Sequence, residues 1–158
     1  MKKLFLLFIF VLILSSAKIS FAQLSETTMK DILETVTDKE KALETKEDME
    51  VVSITIDLLV GARGEKYVYR YLDNSFDYKI YAVGDRRISK LNVQIRKKNE
   101  DDKWVLVDKV SGEKIQTDIF PDSRAFYEFT ISVSEFKGDN TAGHFAFLLY
   151  HIDPTKKP

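Results

Sequence analysis

Enzyme chemistry needs a nucleophile, an acid–base pair or a metal, and this chain is poor in all three. It has no cysteine and only two histidines, His144 and His151. They stand seven positions apart in one apolar stretch, so on a regular strand they point to opposite faces and cannot share a metal or a substrate. His144, beside Gly143, reads as an ordinary edge histidine. No glycine-rich phosphate loop, G-x-S-x-G elbow or H-E-x-x-H occurs. One catalytic route stays open, a pair of carboxylates contributed by distant strands, because such pairs leave no local signature. The expected reading is a non-catalytic chain without a cofactor or metal.

Two stretches could bind instead. The first is "KYVYRYLDNSFDYKIY", Lys66 to Tyr81, with five of the seven tyrosines. Tyr67, Tyr69 and Tyr71 alternate and share one strand face. If they face outward, Arg70 is buried between Val68 and Leu72, and burying an unpaired guanidinium is costly. The row is therefore expected to face the interior or the rim, with wet hydroxyls. The alternative is an exposed aromatic platform for sugar rings, which requires a partner for Arg70. The second stretch is the stripe Lys90, Asn92, Gln94, Arg96 and Lys98, with Arg86 and Arg87 nearby. Residues 85–98 hold six bases against one acid. That stripe suits an anionic polymer, or a sugar needing amide and guanidinium donors. It is equally the polar outer face that antiparallel sheets commonly keep.

The elements that would position these residues begin after an export signal. "MKK" is a basic start, Leu4–Leu14 is an unbroken apolar run, and Ser20 and Ala22 form a small-residue cleavage site. Lys18 interrupts any extension towards the 20 or so apolar residues that span a bilayer. Export with cleavage after Ala22 is expected, to the periplasm or beyond, with no transmembrane anchor remaining. Removing residues 1–22 leaves 21 basic and 25 acidic side chains. An acidic exported chain is a poor candidate for nucleic acid. Without disulfides it must rely on its apolar core. The absence of an N-x-S/T acceptor fits a bacterial product.

Residues 23–50 carry nine acids and four bases. Met29, Ile32, Leu33, Val36 and Leu43 recur at helical spacing, a narrow apolar stripe on a charged rod. Ser25, Thr27 and Thr28 are cap candidates, and Thr37 with Glu40 could start a second helix. From residue 51 to 153 the period becomes two. "VVSITIDLLV" leans towards strand, and seven further runs follow, from Lys66–Leu72 to Gly143–Ile152, separated by Gly, Asp, Asn, Pro or Ser. "GHFAFLLYHI" is apolar on both faces, as a covered central strand would be. Trp104, opening "WVLV", is expected to pack at the sandwich edge. Residues 154–158 form a frayed tail. The fold class is mainly β: a single antiparallel sandwich of seven or eight strands preceded by an acidic amphipathic helix.

"YKIYAVGDRRISKLNVQI" followed by "FYEFTISV" resembles the bacterial pre-peptidase C-terminal-like domains, jelly-roll β-sandwiches of secreted proteins. Tyr78, Ile80, Ala82, Gly84 and Asp85 match their tyrosine-led strand and Gly/Asp turn. Leu91, Val93 and Ile95 match the alternating strand, and Tyr127, Phe129, Ile131 and Val133 the late one. Some members bind calcium through an acidic run. Arg86, Arg87 and Lys90 stand where those acids would be needed, so calcium is not carried over. The expectation is an envelope-associated binding module for a polysaccharide, anionic or neutral, or for another envelope protein. The alternative is a small hydrolase of cell-surface polymers.

Overall fold

A computed structural model describes residues 28–45 and 47–152. The expected signal peptide, Ser25, Thr27 and the tail lie outside the described residues. Residues 28–45 form one helix, α1. Eight strands follow: β1 (Met49–Val60), β2 (Glu65–Leu72), β3 (Tyr78–Gly84), β4 (Ile88–Lys98), β5 (Trp104–Gly112), β6 (Lys114–Ile119), β7 (Ala125–Phe136) and β8 (Ala142–Ile152). They make two four-stranded sheets, ordered β1-β8-β3-β6 and β2-β7-β4-β5, with antiparallel neighbours throughout. The chain crosses between sheets at nearly every connection, which is the winding of a jelly roll. The expected sandwich is present, and "VVSITIDLLV" is a strand.

Alternation builds the core. Leu91, Val93 and Ile95 of β4 and Phe129, Ile131 and Val133 of β7 face Ile80, Ala82, Phe145, Phe147 and Leu149 of the opposite sheet. The other face of β8 is covered too. Ala146, Leu148 and Tyr150, with Tyr81 of β3, pack against Ile32, Val36 and Leu43 of α1. This explains the two-sided apolarity of "GHFAFLLYHI": one side meets the opposite sheet and the other meets the helix.

The helix runs unbroken through Thr37–Glu40, so the second helix start expected there does not occur. The apolar stripe outweighs the capping signal, because Ile32, Val36 and Leu43 must all reach the sheet together. Lys39 fills the gap in that stripe. Its ammonium lies 5.9 Å and 5.8 Å from the ring centres of Tyr81 and Tyr150, so its stem covers the aromatic floor while its head reaches Glu47 at 3.2 Å. Leu33 stands outside the seam and is exposed.

The open side of the sandwich between β1 and β2 is closed by polar side chains. Lys66, Val68, Arg70 and Leu72 occupy the inner side of β2. Lys66 Nζ meets Asp57 at 2.7 Å, and Arg70 Nη2 donates to Ser53 Oγ at 2.6 Å. The lysine contact holds the Asp57 carboxyl below its ordinary value.

One polar atom under α1 is left over. The Tyr150 hydroxyl is buried with no hydrogen-bond partner among the described residues, and burial pushes its pKa up to about 12. Removing an unsatisfied buried hydroxyl while keeping the ring relieves a desolvation cost. Tyr150→Phe is therefore expected to stabilise the fold by about 1 kcal/mol, read as a higher urea midpoint at unchanged slope.

Candidate functional site

The outer face of sheet β2-β7-β4-β5 brings the two sequence candidates together. Tyr69 lies opposite Glu128 of β7, which lies opposite Arg96 of β4, which lies opposite Leu106 of β5. One step along, Tyr67, Thr130 and Gln94 form a parallel row. In the other direction come Tyr71 beside Phe126, and Lys98 beside Trp104. Lys90 and Asn92 continue the stripe on β4, opposite Glu135 and Ser132.

The tyrosine row thus faces outward, against the inward or rim orientation expected from Arg70. Tyr67, Tyr69 and Tyr71 are 50%, 49% and 56% exposed. The cost that argued against this is met at the sandwich edge, where Arg70 donates to Ser53 Oγ and, at 2.7 Å, to the Tyr69 carbonyl. Val68 and Leu72 take the core positions on either side.

The rings support one another. Tyr67 and Tyr69 stack with centres 6.5 Å apart, and Tyr71 meets Phe126 edge-on at 5.2 Å. Tyr69 also lies 6.0 Å from Trp104. Their strands are three places apart, about 14 Å at the usual ~4.8 Å spacing, so the two side chains arch towards each other over β7 and β4. Trp104 therefore belongs to this outer face, 37% exposed, and not to the sandwich edge packing expected of it. Edge strand β5 turns its ring away from the core and towards Tyr69.

Beneath this arch lies a polar floor that the sequence reading missed. Glu128 is buried although it is on an outer face. Its carboxylate accepts from the Tyr69 hydroxyl at 3.0 Å and the Thr130 hydroxyl at 3.4 Å, and pairs with Arg96 at 3.4 Å. Arg96 in turn donates to Gln94 at 3.1 Å. The bond to Glu128 raises the Tyr69 phenol above its ordinary pKa, so it remains a donor at neutral pH. Lys98 pairs with Asp102 at 2.6 Å and lies 6.0 Å over the Trp104 ring. The signal for Glu128 was its position between the core residues Tyr127 and Phe129. It faces the tyrosines only once β2 is turned outward.

Arg86 and Arg87 are not on this face. They sit in the turn between β3 and β4, where Arg86 is exposed and Arg87 closes on Asp85. The fully buried Asp85 carboxylate accepts from the Arg87 backbone at 2.8 Å, its Nε at 3.0 Å and its Nη2 at 2.6 Å, and from the His144 backbone at 2.8 Å. Arg87 also donates to His144 Nδ1 at 3.0 Å. The guanidinium has only donors, so Nδ1 accepts and the ring proton sits on Nε2. His144 is therefore no ordinary edge histidine: it starts a central strand and is buried at 3.3 Å from Thr28 of α1. The turn packs so tightly that a Cβ on Gly143 would lie 2.6 Å from Ile88 and 3.2 Å from Asp85 Oδ1. His151 faces the other way, stacked on Phe76 at 4.3 Å.

No family model matches the chain, and no curated protein matches it in sequence. Its fold does have solved counterparts. The surface-associated copper-binding protein CorA of Methylomicrobium album BG8 is 5% identical with a TM-score of 0.52, covering 61% of this chain and 92% of that one. The pre-peptidase C-terminal domain of a Bacillus anthracis collagenase is 14% identical with a TM-score of 0.45, covering 61% and 87%. The CBM22-1 xylan-binding domain of Paenibacillus barcinonensis Xyn10C is 8% identical with a TM-score of 0.40, covering 68% and 88%. The likeness is one of fold alone. Among the described residues no group of three His, Cys, Asp or Glu could hold a metal ion, and no helix is long and apolar enough to cross a membrane.

Asp85→Ala would leave the Arg87 guanidinium in a mostly buried site without its carboxylate. A loss of about 3–5 kcal/mol is expected, measured by urea unfolding. Arg86→Ala, in the same turn but exposed, should change stability by less than about 0.5 kcal/mol.

Proposed function

We propose that this chain is an exported, non-catalytic β-sandwich module that binds saccharide chains along the outer face of sheet β2-β7-β4-β5. One observation carries this reading. Five exposed aromatic rings, those of Tyr67, Tyr69, Tyr71, Trp104 and Phe126, share one sheet face with Gln94, Arg96 and Lys98. Outer sheet faces are ordinarily polar, and a concentration of exposed apolar surface marks an interaction site. Sugar rings offer C–H faces to aromatic rings and hydroxyls to amide and guanidinium groups, so a mixed face of this kind suits both sides of a pyranose.

Export rests on the N-terminal pattern of Met1–Ala22. The hydrolase reading needs two carboxyl groups roughly 5–10 Å apart on the substrate face. Among the described residues the buried acids are Asp85 and Glu128, and of the exposed acids at the Tyr71–Phe126 end of the face Asp102 pairs with Lys98 and Asp122 with Lys97. Asp85 is spent on Arg87 and the β8 backbone, and Glu128 is engaged by Tyr69, Thr130 and Arg96.

Trp104 is the sole tryptophan, so its emission reports directly from the proposed face. Soluble polysaccharides that bind should shift or quench it saturably, without turnover of the polymer. Tyr69→Ala is expected to weaken binding at least tenfold, about 1.4 kcal/mol, with a modest change in unfolding midpoint. Leu33→Ala, exposed on α1 over the opposite sheet, should bind as the parent does. Cleavage of the polymer, or unchanged binding by Tyr69→Ala, would overturn the reading.

A further inference from the structure

The stripe on β4 looks strongly basic in sequence, yet at its Arg96–Lys98 end the charges are answered in space. Arg96 pairs with Glu128 at 3.4 Å and Lys98 with Asp102 at 2.6 Å. Lys97, on the opposite side of β4 near its end, pairs with Asp122, and Arg124 pairs with Asp73 at 2.6 Å. Each of these acids comes from a different loop or strand, so the compensation is built by the fold. It is invisible in the run from Asp85 to Lys98.

Three of these cations, Lys97, Lys98 and Arg124, line an open cleft of about 600 Å³ at the Tyr71–Phe126 end of the aromatic face. Asp102, Asp122 and Glu100 line it as well, so three bases meet three acids. The aromatic wall is exposed, Tyr71 by 56% and Phe126 by 53%. The volume falls within the range of small-ligand sites, about 300–1,000 Å³.

Resting on the saccharide reading, we infer that the ligand is an uncharged glycan and that one of its sugar units occupies this cleft against Phe126 and Tyr71. A polyanion entering here would have to displace carboxylates already paired with the lysines and the arginine. Its gain at one charge would be lost at the next. A neutral polyol faces no such exchange. Adjacent ammonium and carboxylate groups present a donor beside an acceptor, and neighbouring hydroxyls of a pyranose can use both. Attraction between opposite charges is weakened by salt, with a screening length near ~8 Å at physiological ionic strength. Hydroxyl and ring contacts are not.

The test is titration of Trp104 emission, backed by affinity electrophoresis, with two sets of soluble polymers: neutral β-glucan, xylan and mannan, and acidic polygalacturonate and alginate. Each is measured at low and at high sodium chloride. Binding of at least one neutral polymer, changing less than twofold with salt and weakened at least tenfold by Phe126→Ala and by Tyr71→Ala, is the expected result. Both side chains are exposed, and urea midpoints close to the parent confirm that the variants fold. Binding confined to the acidic polymers, falling tenfold or more with salt, overturns the neutral assignment while leaving the saccharide reading intact. Neutral binding untouched by Phe126→Ala and Tyr71→Ala overturns the cleft. Failure of every polymer to bind overturns the saccharide reading and this inference with it.

Discussion

The side of β2 that faces the core governs the outer surface of the whole molecule. A strand has two faces, and choosing one fixes every residue on the other. Val68 and Leu72 belong inside, and that choice carries Arg70 inward with them. A guanidinium buried without partners would forbid it. At this edge of the sandwich the side chain instead crosses to Ser53 of β1, while Lys66 crosses to Asp57. These two polar bridges close the gap between the sheets and leave the three tyrosines nowhere to go but out. The aromatic face is thus a consequence of how one edge of the sandwich is sealed.

A second constraint holds the helix to the sheets. The chain passes from β3 to β4 through a turn whose Asp85 carboxylate gathers the Arg87 guanidinium and the first backbone amide groups it meets, one of them from β8. His144 extends the cluster to Thr28 on α1. A carboxylate at this depth is tolerable only because every approach to it is a donor. Below the cluster, the apolar seam of α1 hides the second face of β8. The helix is therefore part of the core, and its acidic residues are what remains visible of it.

Much of this architecture was legible in the sequence, because alternation is a local signal. Leu91, Val93 and Ile95 declared one inner face, and "GHFAFLLYHI" declared a strand covered twice. What failed were judgements that depended on a distant partner. Arg70 looked too expensive to turn inward because Ser53 lies seventeen positions away on another strand. Trp104 reads as packed at the sandwich edge because its arch with Tyr69 spans four strands of a sheet whose order the sequence does not show. His144 looked ordinary because Asp85 and Arg87 are more than fifty residues away. The basic stripe and the tyrosine row were read as separate candidates, and only strand order shows that β7 alone lies between them.

Strand β5 shows how much exposure the molecule tolerates on this side. It is an edge strand, and Trp104, Val105, Leu106 and Val107 are all substantially exposed. An unpaired apolar edge invites pairing with another chain. Two features oppose that here. A register shift at Ile95/Arg96 breaks the regular ladder with β4, and Asp102, Lys103, Asp108 and Lys109 place charge at both ends of the apolar run. Such gatekeeping would be unnecessary if the apolar residues were simply polar, as outer faces usually are. Trp104 and Leu106 look onto the same face as Tyr69 and Arg96, so their exposure continues the aromatic surface to the far edge of the sheet. The sheet thus presents apolar groups on β2, β7 and β5, with the paired Arg96 and Lys98 of β4 among them.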